Sequence, residues 1–162
     1  MSNLKIRQFE EDKDLLSISE YDLPEEQAIF TTIPSQVIET FKLDKWNQPY
    51  VVLADDDLAG FFVLYGDPSG NFYTDNKKAI VFKSFSIDLR HQKKGYALQT
   101  LEILPALIKE KYPDKDEILL TVHHTNTPAI HLYKKSAFLN KGIRYAGEYG
   151  EELVFHYEIK RD

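Results

Sequence analysis

The stretch from Ala79 to Glu110 constrains the fold most, because its hydrophobic period changes once, at a definable point. AIVFKSFSID reads as a buried strand, with Ile80, Val81, Phe82, Phe85 and Ile87 supplying β-branched and aromatic content. From Tyr96 onward Ala97, Leu101, Leu104 and Ile108 recur at helical spacing, and Leu98 and Leu107 widen the stripe. Between the two lies Gln92-Lys93-Lys94-Gly95-Tyr96-Ala97. A small residue at such a turn lets a ligand approach the backbone. The unpaired N–H groups and partial positive charge of a helix start then suit a phosphate.

The rest of the chain reads as strands and helices around this unit. Leu4 to Phe9 alternates apolar and polar residues as a first strand, and the acids from Glu10 to Asp14 suit a helix entry. Pro24 before Glu25 and Glu26, and Pro34 before Ser35, mark two short helix starts. Pro49 to Ala54 and Leu58 to Tyr65 form a hairpin around three aspartates, with Gly60 a bulge or a close backbone approach. Pro105 falls inside the central helical pattern, where it removes a hydrogen bond. Glu117 to His123 is a strand, Thr127-Pro128 a helix entry, and Phe138 to Tyr145 and Glu152 to Lys160 are two last strands. The expected architecture is an α/β (mixed α+β) fold. It has a central mixed, mostly antiparallel sheet of about seven strands, flanked by helices in a single domain over residues 1–162.

Charge and composition narrow the partners. A net charge of −6 argues against nucleic acid, and no apolar run reaches the length of a membrane span. The absence of cysteine excludes disulfides, thiolate metal sites and a cysteine nucleophile, and no metal is expected. The opening MSNLKIRQFEEDKDLL has no hydrophobic signal core, so a cytoplasmic location is expected.

Gln92, Gly95 and Ala97 resemble the Gln/Arg-x-x-Gly-x-Gly/Ala motif by which the GNAT superfamily of N-acetyltransferases binds acetyl-CoA. The later run Asn126-Thr127-Pro128-Ala129-Ile130-His131-Leu132-Tyr133-Lys134-Lys135-Ser136-Ala137-Phe138 is similar to that family's second motif. There Asn126, Ala129, Leu132, Tyr133 and Phe138 match, and Ala137 stands where glycine is usual. Two motifs in the right order, each at a strand-to-helix junction, carry the resemblance together.

The resemblance implies acetyl-CoA as cosubstrate and a role for each matching position. Backbone groups of Phe85, Ser86 and Ile87 would pair with the pantetheine arm like an added strand. Amides from Gln92 through Lys93, Lys94, Gly95 and Tyr96 to Ala97 would hold the pyrophosphate. Lys93 and Lys94 either add charge there or stand as solvated side chains. Asn126 either contacts the coenzyme arm or caps its helix. Tyr133 would be the general acid that protonates the departing thiolate, its alternative being an aromatic on a buried helix face. The strand position where relatives place a glutamate base is Thr121 here. His123, two residues on, is a residue type that titrates near neutral pH and is either the base or structural. Glu25 and Glu26 either meet a cationic amine or serve as first-turn acids.

The acceptor expected is a small-molecule primary amine. A loose similarity of Leu23 to Phe30 and Gly60-Phe61-Phe62 to bacterial spermidine/spermine-type acetyltransferases favours a polyamine, as does the acidic charge. The alternatives are peptide or protein N-terminal or lysine acetylation, and a non-catalytic acyl-CoA sensor. Pairing of the last strands between subunits makes a homodimer possible.

Overall fold

The computed structural model describes residues 3–28 and 31–160, apart from the side chains of Glu26, Ala28 and Phe41. In chain order the elements are β1 (Leu4–Gln8), α1 (Glu11–Ser19), α2 (Glu25–Ala28), α3 (Pro34–Phe41), β2 (Asn47–Ala54) and β3 (Asp57–Tyr65). They continue with β4 (Ala79–Ile87), α4 (Tyr96–Lys111), β5 (Glu117–His123), α5 (Thr127–Lys135), β6 (Leu139–Gly147) and β7 (Gly150–Glu158). The seven strands form one sheet in the order β1-β2-β3-β4-β5-β7-β6. β4 and β5 run parallel, while β1–β2, β2–β3, β5–β7 and β6–β7 are antiparallel. This is the mixed sheet with flanking helices that the residue pattern indicates. Among the described residues no helix is long and apolar enough to cross a membrane. The chain divides into two compact units, Met1–Tyr65 with Lys83–Thr100, and Gly66–Phe82 with Leu101–Asp162.

In the first unit the β2–β3 hairpin turns on Asp55 and Asp56, at φ 49° and 71°. A two-residue turn with both φ values positive matches the twist of the strands it joins, and aspartate tolerates that conformation. Val52 pairs with Gly60 but Leu53 pairs with Leu58, so Ala59 is an extra residue at a bulge. A Cβ at Gly60 would lie 2.8 Å from Ile87 Cδ1 and 3.1 Å from the Ser86 carbonyl, so the bulge and the close approach occur together. Ile18, Tyr21, Val37, Ile38, Phe61 and Val63 pack α1 and α3 onto this sheet face. Asp14, buried in α1, accepts two 2.7 Å bonds from Arg7 and one from the Glu10 N–H. Burial pushes its carboxyl up, but those bonds and the charges of Arg7 and Lys13 outweigh burial and hold it below the ordinary value.

In the second unit β4 pairs with β5 over Ala79–Val81 and Glu117–Leu119, and Phe82, Leu104, Ile108, Leu120, Phe138 and Phe155 are core residues. Pro105 stays inside α4. The last two strands run longer toward each other than their composition suggests, leaving only Glu148 and Tyr149 as their turn. β6 starts one residue later than expected because Phe138 belongs to the stop of α5. There the Phe138 N–H donates to the Tyr133 carbonyl at 3.0 Å and the Ala137 N–H to the Lys134 carbonyl at 3.1 Å. The Phe138 ring meets Tyr133 edge-on at 6.1 Å. These are the paired bonds and the apolar contact of a Schellman stop, which needs a left-handed residue at the position of Ala137. Ala137 adopts it, at φ 70°.

Alanine carries a steric penalty there that glycine does not. Ala137→Gly is therefore expected to raise the unfolding free energy by about 1 kcal/mol in urea titrations. A loss of that size would contradict the assignment of the stop.

Candidate active site

The first unit carries the end of β4 and the turn into α4. Ser86 is buried and its hydroxyl shares a 2.9 Å hydrogen bond with the Tyr21 phenol. Phe85 meets the Phe62 ring edge-on, and Ile87 packs with Ala54, Ala59 and Tyr96. Directly after the strand Asp88 is fully buried. It accepts bonds from the Arg90 N–H at 2.9 Å, from Arg90 Nε at 3.0 Å and Nη2 at 2.8 Å, and from the Asp22 N–H at 3.1 Å. Its own N–H donates to the Ala59 carbonyl, and the Leu89 N–H donates to Asp22. Burial pushes the Asp88 carboxyl up. The Arg90 side chain and backbone, the Asp22 N–H and the Arg90 charge more than offset this, so it lies below the ordinary value. The tight 3-10 turn Leu89–His91 is built on this carboxylate.

Gln92 has a different place from the one its motif suggests. Its N–H goes to the Leu89 carbonyl at 3.3 Å. Its side-chain amide donates to the Ile87 carbonyl at 2.8 Å and exchanges bonds with Gln27 of α2 at 2.9 and 3.2 Å. It braces the turn, and the amides that can meet a ligand begin at Lys93. The φ angle is positive at Lys93 (62°), not at Lys94, and positive again at Gly95 (82°). The N–H groups of Lys93, Lys94 and Gly95 have no hydrogen-bond partner among the described residues. Alternation of this kind folds successive amides into an anion-binding concavity, here at the start of the 16-residue α4. The turn therefore fits a pyrophosphate. The Tyr96 side chain is buried among Ala54, Ala59 and Ile87 and anchors the helix from behind, with Ala97 packed on the same cluster. Lys93 and Lys94 are exposed.

The second unit carries the other motif. Asn126 caps α5, its Oδ1 accepting from the Ala129 N–H at 3.4 Å. Tyr133 is half-buried, edge-on to Phe138 and Phe155, and its hydroxyl has no hydrogen-bond partner among the described residues. Burial alone pushes its phenol above the ordinary value. His123 has both ring nitrogens engaged. Nδ1 accepts from the Thr125 N–H at 3.2 Å and lies 2.7 Å from its hydroxyl, which leaves the proton on Nε2 for the Tyr149 carbonyl at 3.0 Å. Glu25 is exposed at the start of the four-residue α2, and the Glu26 side chain, with Ile29 and Phe30, lies outside the described residues.

The sequence profile of the acetyltransferase (GNAT) family matches residues 15–138, and the chain belongs to that family. A Bacillus subtilis (strain 168) protein described as the uncharacterized N-acetyltransferase YbbJ is 35% identical over 150 residues, which are 92% of this chain and 94% of that protein. The aminoglycoside acetyltransferase AAC(6')-Ib in complex with coenzyme A and kanamycin has a TM-score of 0.78 at 15% identity, covering 96% of this chain and 95% of its own. The dodecameric spermidine N-acetyltransferase of Vibrio cholerae has a TM-score of 0.66 at 17% identity, covering 96% and 93%. At such identities the two structures share the fold. Family membership makes this chain an acetyl-CoA-dependent N-acetyltransferase.

Two variants test the turn. Gly95→Ala puts a side chain at a φ of 82° and is expected to raise the KM for acetyl-CoA about tenfold. Asp88→Asn is expected to cost roughly 2 kcal/mol at pH 7. A carboxylate with a lowered folded pKa contributes stability above its unfolded pKa and loses it as pH falls through the folded one. The gap between wild type and Asp88→Asn should thus close below about pH 4 in denaturant titrations. A gap unchanged with pH would contradict the charged assignment.

Proposed function

We propose that the enzyme moves the acetyl group from acetyl-CoA directly onto a small primary amine, with Tyr133 as general acid. The observation that carries this reading is the Tyr133 hydroxyl. It has no partner among the described residues, and burial raises its pKa, so it holds its proton at neutral pH. The amine lone pair attacks the thioester carbonyl, and the C–N bond forms as the C–S bond breaks. Tyr133 gives its phenolic proton to the departing sulfur, and the nitrogen loses one proton through water, which restores the phenol. In this reading the backbone of Phe85, Ser86 and Ile87 pairs with the pantetheine arm. The amides of Lys93, Lys94 and Gly95 hold the pyrophosphate.

The net charge of −6 and the likeness to a spermidine N-acetyltransferase support a polyamine acceptor.

Tyr133→Phe keeps the ring packed on Phe138 and Phe155. It is expected to lower kcat about a hundredfold while KM for acetyl-CoA moves little. Free-thiol release with spermidine, amino acids and peptides measures this and separates small-molecule from peptide transfer. Unchanged kcat in Tyr133→Phe sinks the general-acid role, and tight coenzyme binding without thiol release on any acceptor favours a sensor.

A further inference from the structure

One row of side chains crosses three strands of the second unit. His123 of β5 pairs with Glu152 of β7, and Glu152 pairs with Tyr145 of β6. Directly opposed residues of antiparallel strands share a face, so the three stand side by side. The loop between β3 and β4 adds a fourth member. Tyr73 sets its ring edge-on to Tyr145, with the centroids 4.9 Å apart. Burial first, then Tyr145 and the Glu152 charge, raise the Tyr73 phenol above its ordinary value, so the carboxylate is felt at that ring. Gly147, two residues on from Tyr145, makes room for the carboxylate, since a Cβ there would overlap Glu152 Oε2.

The polar tips of this group are uncommitted. Glu152 makes no hydrogen bond or ion pair among the described residues, and the hydroxyls of Tyr73 and Tyr145 make no hydrogen bond there either. Arg144, next to Tyr145 in β6, is engaged by Glu151 at 3.1 Å. Tyr73, Tyr145 and Glu152 are each half-buried. A half-buried carboxylate beside two aromatic rings has the chemistry of an ammonium site. The carboxylate accepts N–H bonds from the cation, and the ring faces attract its charge.

We infer that Glu152, with the rings of Tyr73 and Tyr145, binds a second ammonium of the acceptor, which is therefore an amine carrying at least two positive nitrogens. The nitrogen that reacts must shed its proton, and a carboxylate beside it favours the charged form. The site therefore suits the nitrogen that does not react. β7 relates the site to the general acid, because the Phe155 ring lies 6.3 Å from that of Tyr133. Glu152 stands three residues before Phe155, about 10 Å along an extended strand, and on the other face of the sheet. That suits direct transfer, in which the acceptor and the acid approach the thioester from different sides. The inference rests on the amine-acetyltransferase reading and names the residues that select its acceptor.

The test compares straight-chain diamines with monoamines of the same length, in thiol release at saturating acetyl-CoA. Wild type is expected to favour the diamine by at least about tenfold in kcat/KM. Glu152→Gln keeps the shape of the side chain and removes its charge. It should raise the diamine KM about tenfold and leave the KM of acetyl-CoA within about twofold, a split that a general loss of structure would not give. Tyr73→Leu should raise the diamine KM about threefold through loss of its ring. Either spermidine or kanamycin as the better substrate supports the inference, the first for a linear frame and the second for a ring-borne one. A wild type that does not distinguish diamine from monoamine overturns it, as does an unchanged diamine KM in Glu152→Gln. If no amine releases thiol, the transfer reading fails by itself, and the site is judged by calorimetric titration with spermidine. Binding that Glu152→Gln weakens about tenfold supports the site. Equal binding in the variant, or none to wild type, overturns it.

Discussion

The Asp88 carboxylate is the interaction on which the donor side depends. A charge with no exposure is tolerable only when its oxygens are fully used, and Asp88 uses both, on Arg90 and on the Asp22 backbone. The consequence is geometric. The chain leaves β4 in one direction, makes the turn at Leu89–His91, and presents Gln92 to the Ile87 carbonyl. Only then do Lys93, Lys94 and Gly95 project their amides without partners. In the proposed site, phosphate binding is a property of the backbone, and the side chains around it serve to hold that backbone still.

Tyr133 is fixed by a different device. Its carbonyl receives the Phe138 N–H in the stop of α5 and its ring rests on Phe138. The same stop forces Ala137 into a left-handed conformation. Glycine at that position would avoid the penalty, so this departure from the second motif is conformational. The Tyr133 hydroxyl, kept protonated by burial, has the chemistry a leaving thiolate requires.

The sequence made legible what depends on local pattern. β4 and β5 fall on their expected residues, because buried β-branched runs bounded by turn residues leave little choice. Gln92, by contrast, matches a motif but spends its amide inside the turn, a fact set by the contact with Gln27, 65 residues away. Asp88 has the residue type of an ordinary loop charge, since its burial depends on the distant Asp22 segment. The place of Lys83 over the Tyr65 ring was hidden for a third reason. Strict alternation puts Lys83 on the same face as Phe85, and the left-handed Ser84 between them breaks that alternation. No residue type announces such a conformation when it falls on a serine.

The central claim is direct acetyl transfer from coenzyme to amine, and the path of the acetyl group tests it. Enzyme is mixed with acetyl-CoA labelled in the acetyl group, with and without an amine acceptor, and the label is followed over one turnover. The account predicts label on the amine nitrogen, one free thiol for each amide formed, and none on the protein at any time. Label retained on the protein before reaching the amine, or coenzyme bound tightly with its acetyl group never released, would contradict it.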